Sequence, residues 1–116
     1  MARILIADDD TDQLTVNSEL LESGGHTVAI AWAASQVLGQ AERVDLILMD
    51  LRMPEAEDGM ALIRSLRESG FLKPVIVVSG WPEEIYGQPE EGMVSLVLLK
   101  PVPAAKLLAA VANLAG

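Results

Sequence analysis

"ILIADDD", residues 4–10, runs a stretch of apolar residues straight into three adjacent aspartates. The apolar part lacks the in–out alternation of a strand with one wet face, so it reads as a strand buried on both sides. Four more runs of the same kind follow, giving Arg3–Ala7, Thr27–Ile30, Leu46–Met49, Val75–Val78 and Leu96–Leu99 in all. Between them the apolar residues fall at helical spacing. Ala34, Val37, Leu38 and Ala41 share one face, as do Leu62, Ile63 and Leu66, and then Ala104, Leu107, Leu108, Val111 and Leu114. The earliest helical segment, Thr11–Ser23, is stopped by Gly24-Gly25, a usual helix C-terminus. Strand and helix thus alternate along the chain. That order predicts an α/β fold, a doubly wound parallel sheet with helices on both faces and right-handed crossovers.

Composition agrees with a packed globule. The chain has 116 residues, 51% of them hydrophobic, enough for one core. No apolar stretch reaches the ~20 residues of a membrane span, and the first residues lack the features of a signal peptide. Cysteine is absent, so disulfides and thiolate chemistry are excluded and a cytoplasmic setting is expected. The net charge of −9 argues against direct contact with nucleic-acid phosphates.

In doubly wound sheets, ligands bind beyond the carboxyl ends of the strands. Those positions hold Asp8, Asp9 and Asp10 after the first strand, Asp50 after the third, Ser79-Gly80 after the fourth and Lys100-Pro101 after the fifth. The end of the second strand offers Ala31 and Trp32, with no evident chemistry. Carboxylates gathered at one edge do not all stay ionised without compensation. A hard divalent cation, Mg²⁺ above all, supplies it with one or two carboxylates and several waters. A lysine and a hydroxyl beside such an ion would stabilise a phosphoryl group in transfer, and an aspartate there would serve as nucleophile. The constellation points to Mg²⁺-dependent phosphoryl transfer onto an aspartate.

The chain resembles the receiver domain of two-component response regulators over essentially its whole length. The resemblance rests on "ILIADDD" at 4–10, "DLILMDLRMP" at 45–54, "DG" at 58–59, "VIVVSG" at 75–80 and "LLKP" at 98–101. Each piece alone is weak; five in this order are specific. The resemblance implies a flavodoxin-like sheet of five parallel strands in the order 2-1-3-4-5. It implies Asp50 as phosphoacceptor, and Mg²⁺ held by Asp8, Asp9, Asp50 and the backbone carbonyl of Arg52. Ser79 becomes the switch hydroxyl, and Lys100 the lysine that precedes a cis proline. The donor would be a bacterial histidine kinase or a histidine phosphotransfer protein, and the output a protein–protein contact with an unknown downstream protein. Residues 1–116 are expected to form one stand-alone receiver without an output domain, a phosphoacceptor rather than an enzyme beyond self-phosphorylation and autodephosphorylation.

Plainer readings stand beside these. Asp50 also suits a turn ahead of Met53-Pro54, and Ser79-Gly80 is an ordinary turn pair. Asp10 separates from its neighbours: with Gln13 three residues on, it reads as the N-cap of the first helix in a capping-box arrangement. His26, the one histidine, lies at the start of the second strand, away from the site, and reads as a strand residue rather than a phosphorylated one.

The chain departs from the family pattern in three places. Val97 stands where receivers carry a Tyr or Phe three residues before the lysine, and Val102 replaces the common aromatic after Lys-Pro. Pro82, Gly87, Pro89 and Gly92 leave room for a short or irregular fourth helix only. One extra residue lies between Pro54 and Gly59, where Glu55, Glu57 and Asp58 suggest a solvated acidic loop. Arg52 and Trp81, each two residues past a site residue, are expected to flank the path of attacking water and slow hydrolysis of the phosphorylated form. Two other classes remain open: a receiver-like binding module that is never phosphorylated, and a Mg²⁺-dependent hydrolase with an aspartyl nucleophile. The hydrolase would need an acid/base carboxylate soon after the nucleophile, and Arg52 occupies that place.

Overall fold

The structure, a computed structural model, describes residues 2–115. Five strands form one parallel sheet: β1 (Arg3–Ala7), β2 (Thr27–Ala31), β3 (Leu46–Asp50), β4 (Val75–Ser79) and β5 (Leu96–Leu99), in the spatial order β2-β1-β3-β4-β5. The register pairs Ala7 with Ala31 and Met49, Asp50 with Val78, and Ser79 with Leu99. All five strands therefore end along one edge. The strand order reverses between β1 and β3, which is where such sheets open a crevice.

Four α-helices cover the sheet: α1 (Thr11–Ser23), α2 (Ala34–Leu38), α3 (Ala56–Glu68) and α4 (Ala104–Ala115). The period-two alternation of the strands divides their side chains between two cores. Leu5, Ile47, Met49, Val75 and Val77 pack with Ile63 and Leu66 of α3, while Ile4, Ile6, Leu46, Leu48, Ile76 and Val78 pack with Leu14 and Leu21 of α1 and Leu107 and Val111 of α4. The continuous apolar runs of β1, β3 and β4 are thus accounted for: they face oil on both sides. The edge strands differ from that expectation. Thr27 and Ile30 of β2 and Leu99 of β5 are exposed, because each strand has a neighbour on one side only and the helices overhang it incompletely.

Two local expectations are corrected. The helical stripe from Ala34 to Ala41 does not run through. α2 stops at Leu38 with Gly39 as its C-cap, and Ala41 lies in a separate 3-10 turn at Ala41–Arg43. Glycine carries the highest backbone entropy cost in a helix, so the break falls there. The acidic stretch after Pro54 is not a loop but the N-terminus of α3. Glu55 is its N-cap residue, and the Asp58 carboxylate accepts the Glu55 N–H at 3.0 Å. Acidic side chains at that end also complement the helix dipole.

The "DG" pair has a steric reason. A Cβ on Gly59 would lie 1.9 Å from the Leu51 carbonyl oxygen, so no side chain fits where α3 abuts the segment leaving β3. Between β4 and β5 no α-helix forms. Two 3-10 turns, Pro82–Glu84 and Pro89–Met93, replace it, as the prolines and glycines of that stretch led us to expect. Among the described residues no helix is long and apolar enough to cross a membrane.

Candidate functional site

β1, β3 and β5 bring Asp8, Asp50 and Lys100 together. β1 hands the chain to Asp8, whose N–H still bonds the Ala31 carbonyl at 3.0 Å and so extends the β1–β2 ladder by one rung. Asp8 is buried and Asp9 exposed, with Asp50 between the two. Asp8, Asp9 and Asp50 can each offer a carboxylate oxygen, all within 4.8 Å of one another. Ligands at about 2.0–2.1 Å from an octahedral Mg²⁺ are separated by up to ~4.2 Å. Three carboxylate oxygens gathered this closely fit a hard cation in number and chemistry, and side-chain rotation or a bridging water would close the remaining distance to it. Among the described residues no other group of three metal-ligating side chains gathers in this way.

Lys100 faces two of these carboxylates. Its Nζ donates to Asp50 Oδ2 at 2.9 Å and lies 3.7 Å from Asp8 Oδ2. The Lys100 N–H bonds the Ser79 carbonyl at 2.9 Å, which ties β5 to β4 beside the site. The Lys100-Pro101 peptide is cis, and so is Met53-Pro54. Burial works against the lysine's charge, but the hydrogen bond to Asp50 and the fields of Asp50, Asp8 and Asp10 raise its pKa. Asp8 carries the largest cost. Desolvation pushes its pKa to about 6, against the Asp10 N–H that its Oδ1 accepts at 3.0 Å and the attraction of Lys100. This carboxylate is poised to gain from a cation.

Asp10 separates from its neighbours as expected. Its Oδ1 accepts the N–H groups of Asp12 at 2.9 Å and Gln13 at 3.4 Å, which caps α1. The reciprocal half of the capping box does not form, because the Asp10 N–H is committed to Asp8. His26 stands apart from the site, its Nδ1 accepting the Ala2 N–H at 3.2 Å.

Ser79 closes the other side. It is fully buried, and its Oγ accepts the Trp81 N–H at 3.0 Å. Val97, the departure from the family pattern noted above, is half-buried and level with Val77 in the register, and packs into the α3-side core. Arg52 Nα–H donates to Asp50 Oδ1 at 3.2 Å. Its guanidinium stacks on Trp81, 3.7 Å from the ring centroid, and its Nε donates to Glu84 Oε1 at 2.9 Å. Sequence reasoning paired Arg52 with Trp81 but missed Glu84; no spacing rule tells it from Glu83 beside it. A cleft of about 520 Å³ opens from this edge along α1 and α4, and its walls include Asp8, Asp50, Lys100, Gln13, Val16 and Leu107.

The family model described as "Response regulator receiver domain" matches residues 4–112. The chain is 39% identical over 121 aligned residues to the sensory/regulatory protein RpfC of Xanthomonas campestris pv. campestris, with 97% of this chain aligned but only 16% of that relative. Among solved structures it is similar to a response regulator signal receiver domain from Bermanella marisrubri, with a TM-score of 0.88, 27% identity and 98% of both chains covered. The fold is shared also with the response regulator TrrA of Thermotoga maritima, solved in complex with Mg²⁺-BeF: TM-score 0.86, 20% identity, covering 98% of this chain and 99% of that one.

Proposed function

The chain belongs to the response regulator receiver domain family, and from that premise we propose that it accepts a phosphoryl group on Asp50 from a phosphohistidine donor, in a Mg²⁺-dependent step. One observation carries the reading. Three carboxylates at the ends of two strands converge within 4.8 Å, with the Lys100 ammonium 2.9 Å from Asp50. The Mg²⁺-BeF bound by the Thermotoga relative supports it.

In the proposed reaction one oxygen of the Asp50 carboxylate attacks phosphorus. The P–N bond to the donor imidazole breaks, its electron pair returns to the ring nitrogen, and an acyl phosphate results. Bound between Asp8, Asp9, Asp50 and the Arg52 carbonyl, Mg²⁺ would neutralise charge on the transferring oxygens. Lys100, already aimed at Asp50, would turn its ammonium to a phosphoryl oxygen, and the buried Ser79 hydroxyl would donate to another. Asp8 supplies negative charge that its burial makes costly, so a cation bound beside it would be favoured. A histidine kinase or histidine phosphotransfer protein is the donor, and a protein the downstream partner.

Intact mass spectrometry after incubation with acetyl phosphate tests this, acetate being the leaving group in place of the imidazole. The expected result is a single adduct of phosphoryl mass that needs Mg²⁺ and is lost in Asp50→Asn. No adduct would favour a binding module, and release of phosphate with no accumulating adduct would favour a hydrolase.

A further inference from the structure

The connection from β4 to β5 is held at two places by different means. Its later part is fastened to α3: Arg64 reaches the buried Glu90 at 2.7 Å, and Arg67 Nε donates to the Met93 carbonyl at 2.8 Å. Its earlier part, Trp81–Gln88, starts after Gly80 and ends in the positive-φ Gly87 and Gln88, and its start is fastened to the Asp50 site instead. Ile85 is its buried side chain. At its start it is tied by the Trp81 N–H to Ser79 Oγ at 3.0 Å, the Arg52 guanidinium stacked on Trp81 at 3.7 Å, and Glu84 on Arg52 Nε at 2.9 Å, while at its end the Gly87 N–H bonds Glu91 Oε1 at 3.0 Å.

We propose that Arg52, Trp81 and Glu84 form a phosphoryl-sensitive latch: a phosphoryl group on Asp50 draws the Arg52 guanidinium from Glu84 and frees Trp81–Gln88. The proposal rests on Asp50 being the phosphoacceptor. Both ends of the latch hang on atoms that the phosphoryl group recruits. Arg52 begins from an N–H bonded to Asp50 Oδ1, and Trp81 from an N–H bonded to Ser79 Oγ. The Arg52 guanidinium already sits in the fields of Glu84, Glu55 and Asp50. Phosphorylation of Asp50 replaces one negative charge by nearly two and places it further out, on oxygens suited to the planar fork of arginine. Glu84, by contrast, gains nothing. The Arg52–Glu84 pair is partly open to water, with side chains 38% and 27% exposed, so exchanging its partner needs no buried charge to be stranded. This route does not need an aromatic at position 97. It offers a way to carry the signal outward where Val97 leaves the usual one without a side chain large enough to move.

The test uses the full chain carrying Trp32→Phe, which leaves Trp81 as the single tryptophan. Amide hydrogen exchange and Trp81 emission are followed with and without Mg²⁺ and acetyl phosphate, the adduct being counted by intact mass. Adduct formation is expected to speed exchange across residues 81–88 at least fivefold, to leave the Glu90–Met93 turn unchanged, and to shift Trp81 emission. In Glu84→Gln the same amides are expected to exchange fast beforehand and to respond less than twofold, with the adduct forming as before. An adduct without a change at 81–88 overturns the latch and leaves the phosphoacceptor reading intact. A Glu84→Gln protein that responds as fully as its parent overturns the latch as well. Absence of any adduct overturns both.

Discussion

Replacing Asp8 by asparagine should make the metal-free protein more stable, although it removes a residue assigned to function. The argument starts from burial. Desolvation raises the Asp8 pKa from the ordinary 3.8 to about 6, so between those two values the folded state holds a proton that the unfolded chain releases. Stability attributable to this group is therefore greatest below pH 4, falls as pH rises through 4 to 6, and levels off above. At 1.36 kcal/mol per pH unit, the gap between 3.8 and about 6 costs the fold about 3 kcal/mol at pH 7. Asparagine cannot ionise, yet it keeps the oxygen that accepts the Asp10 N–H. Asp8→Asn in EDTA should thus gain about 2–3 kcal/mol in urea unfolding at pH 7, a rise of roughly 10 °C in Tm for a domain of this size. The gain should vanish at pH 4, where the wild-type side chain is itself protonated. Saturating Mg²⁺ should restore stability to the wild type and do far less for the variant. A gain absent at pH 7, or one that persists undiminished at pH 4, refutes the reasoning.

Other outcomes follow from the same geometry. Asp10→Ala should cost about 1 kcal/mol of stability through loss of the α1 cap, while Mg²⁺ affinity, read by tryptophan fluorescence titration, falls far less than in Asp9→Asn. Gly59→Ala forces a methyl group against the Leu51 carbonyl, so urea unfolding should show a loss of about 1–3 kcal/mol or more. Arg52→Asn combined with Trp81→Ala removes both the guanidinium that would lie on the phosphoryl oxygens and the bulky ring beside it, opening that side of the site to water. Its acyl phosphate should decay faster than the wild-type one when timed by intact mass, and an unchanged half-life would count against Arg52 and Trp81 as a shield against water.

The fold was legible because the strands that matter most are buried on both faces. Val75–Ser79 and Leu46–Asp50 have helices above and below, so an apolar run was a faithful signal, and the residues that end such runs had to share one edge. Strand-end placement thus grouped Asp8, Asp9, Asp50, Ser79 and Lys100 from the sequence alone. The edge strands were less faithful, since how far a helix overhangs Thr27 or Ile30 depends on packing that no local pattern encodes. The Arg52–Glu84 pair spans 32 residues and depends on the pitch of a single 3-10 turn. Glu90, an acidic residue in a polar stretch, gives no hint that it is buried against Arg64. Interactions of that kind are set by tertiary geometry, and sequence periodicity is silent about them.

The contact of Gly59 with the Leu51 carbonyl also decides where the site can yield. Helix α3 rests directly on the backbone that leaves Asp50, with no side chain between them to compress or rotate. That flank behaves as an anvil. On the other flank the chain after Ser79 hangs from one buried isoleucine and a few polar ties between two glycines. A load placed on Asp50 is met by a stiff support on one side and a compliant one on the other, so displacement is directed toward Trp81–Gln88. If Asp50 is phosphorylated as proposed, that asymmetry would give the response a preferred direction before any partner is present.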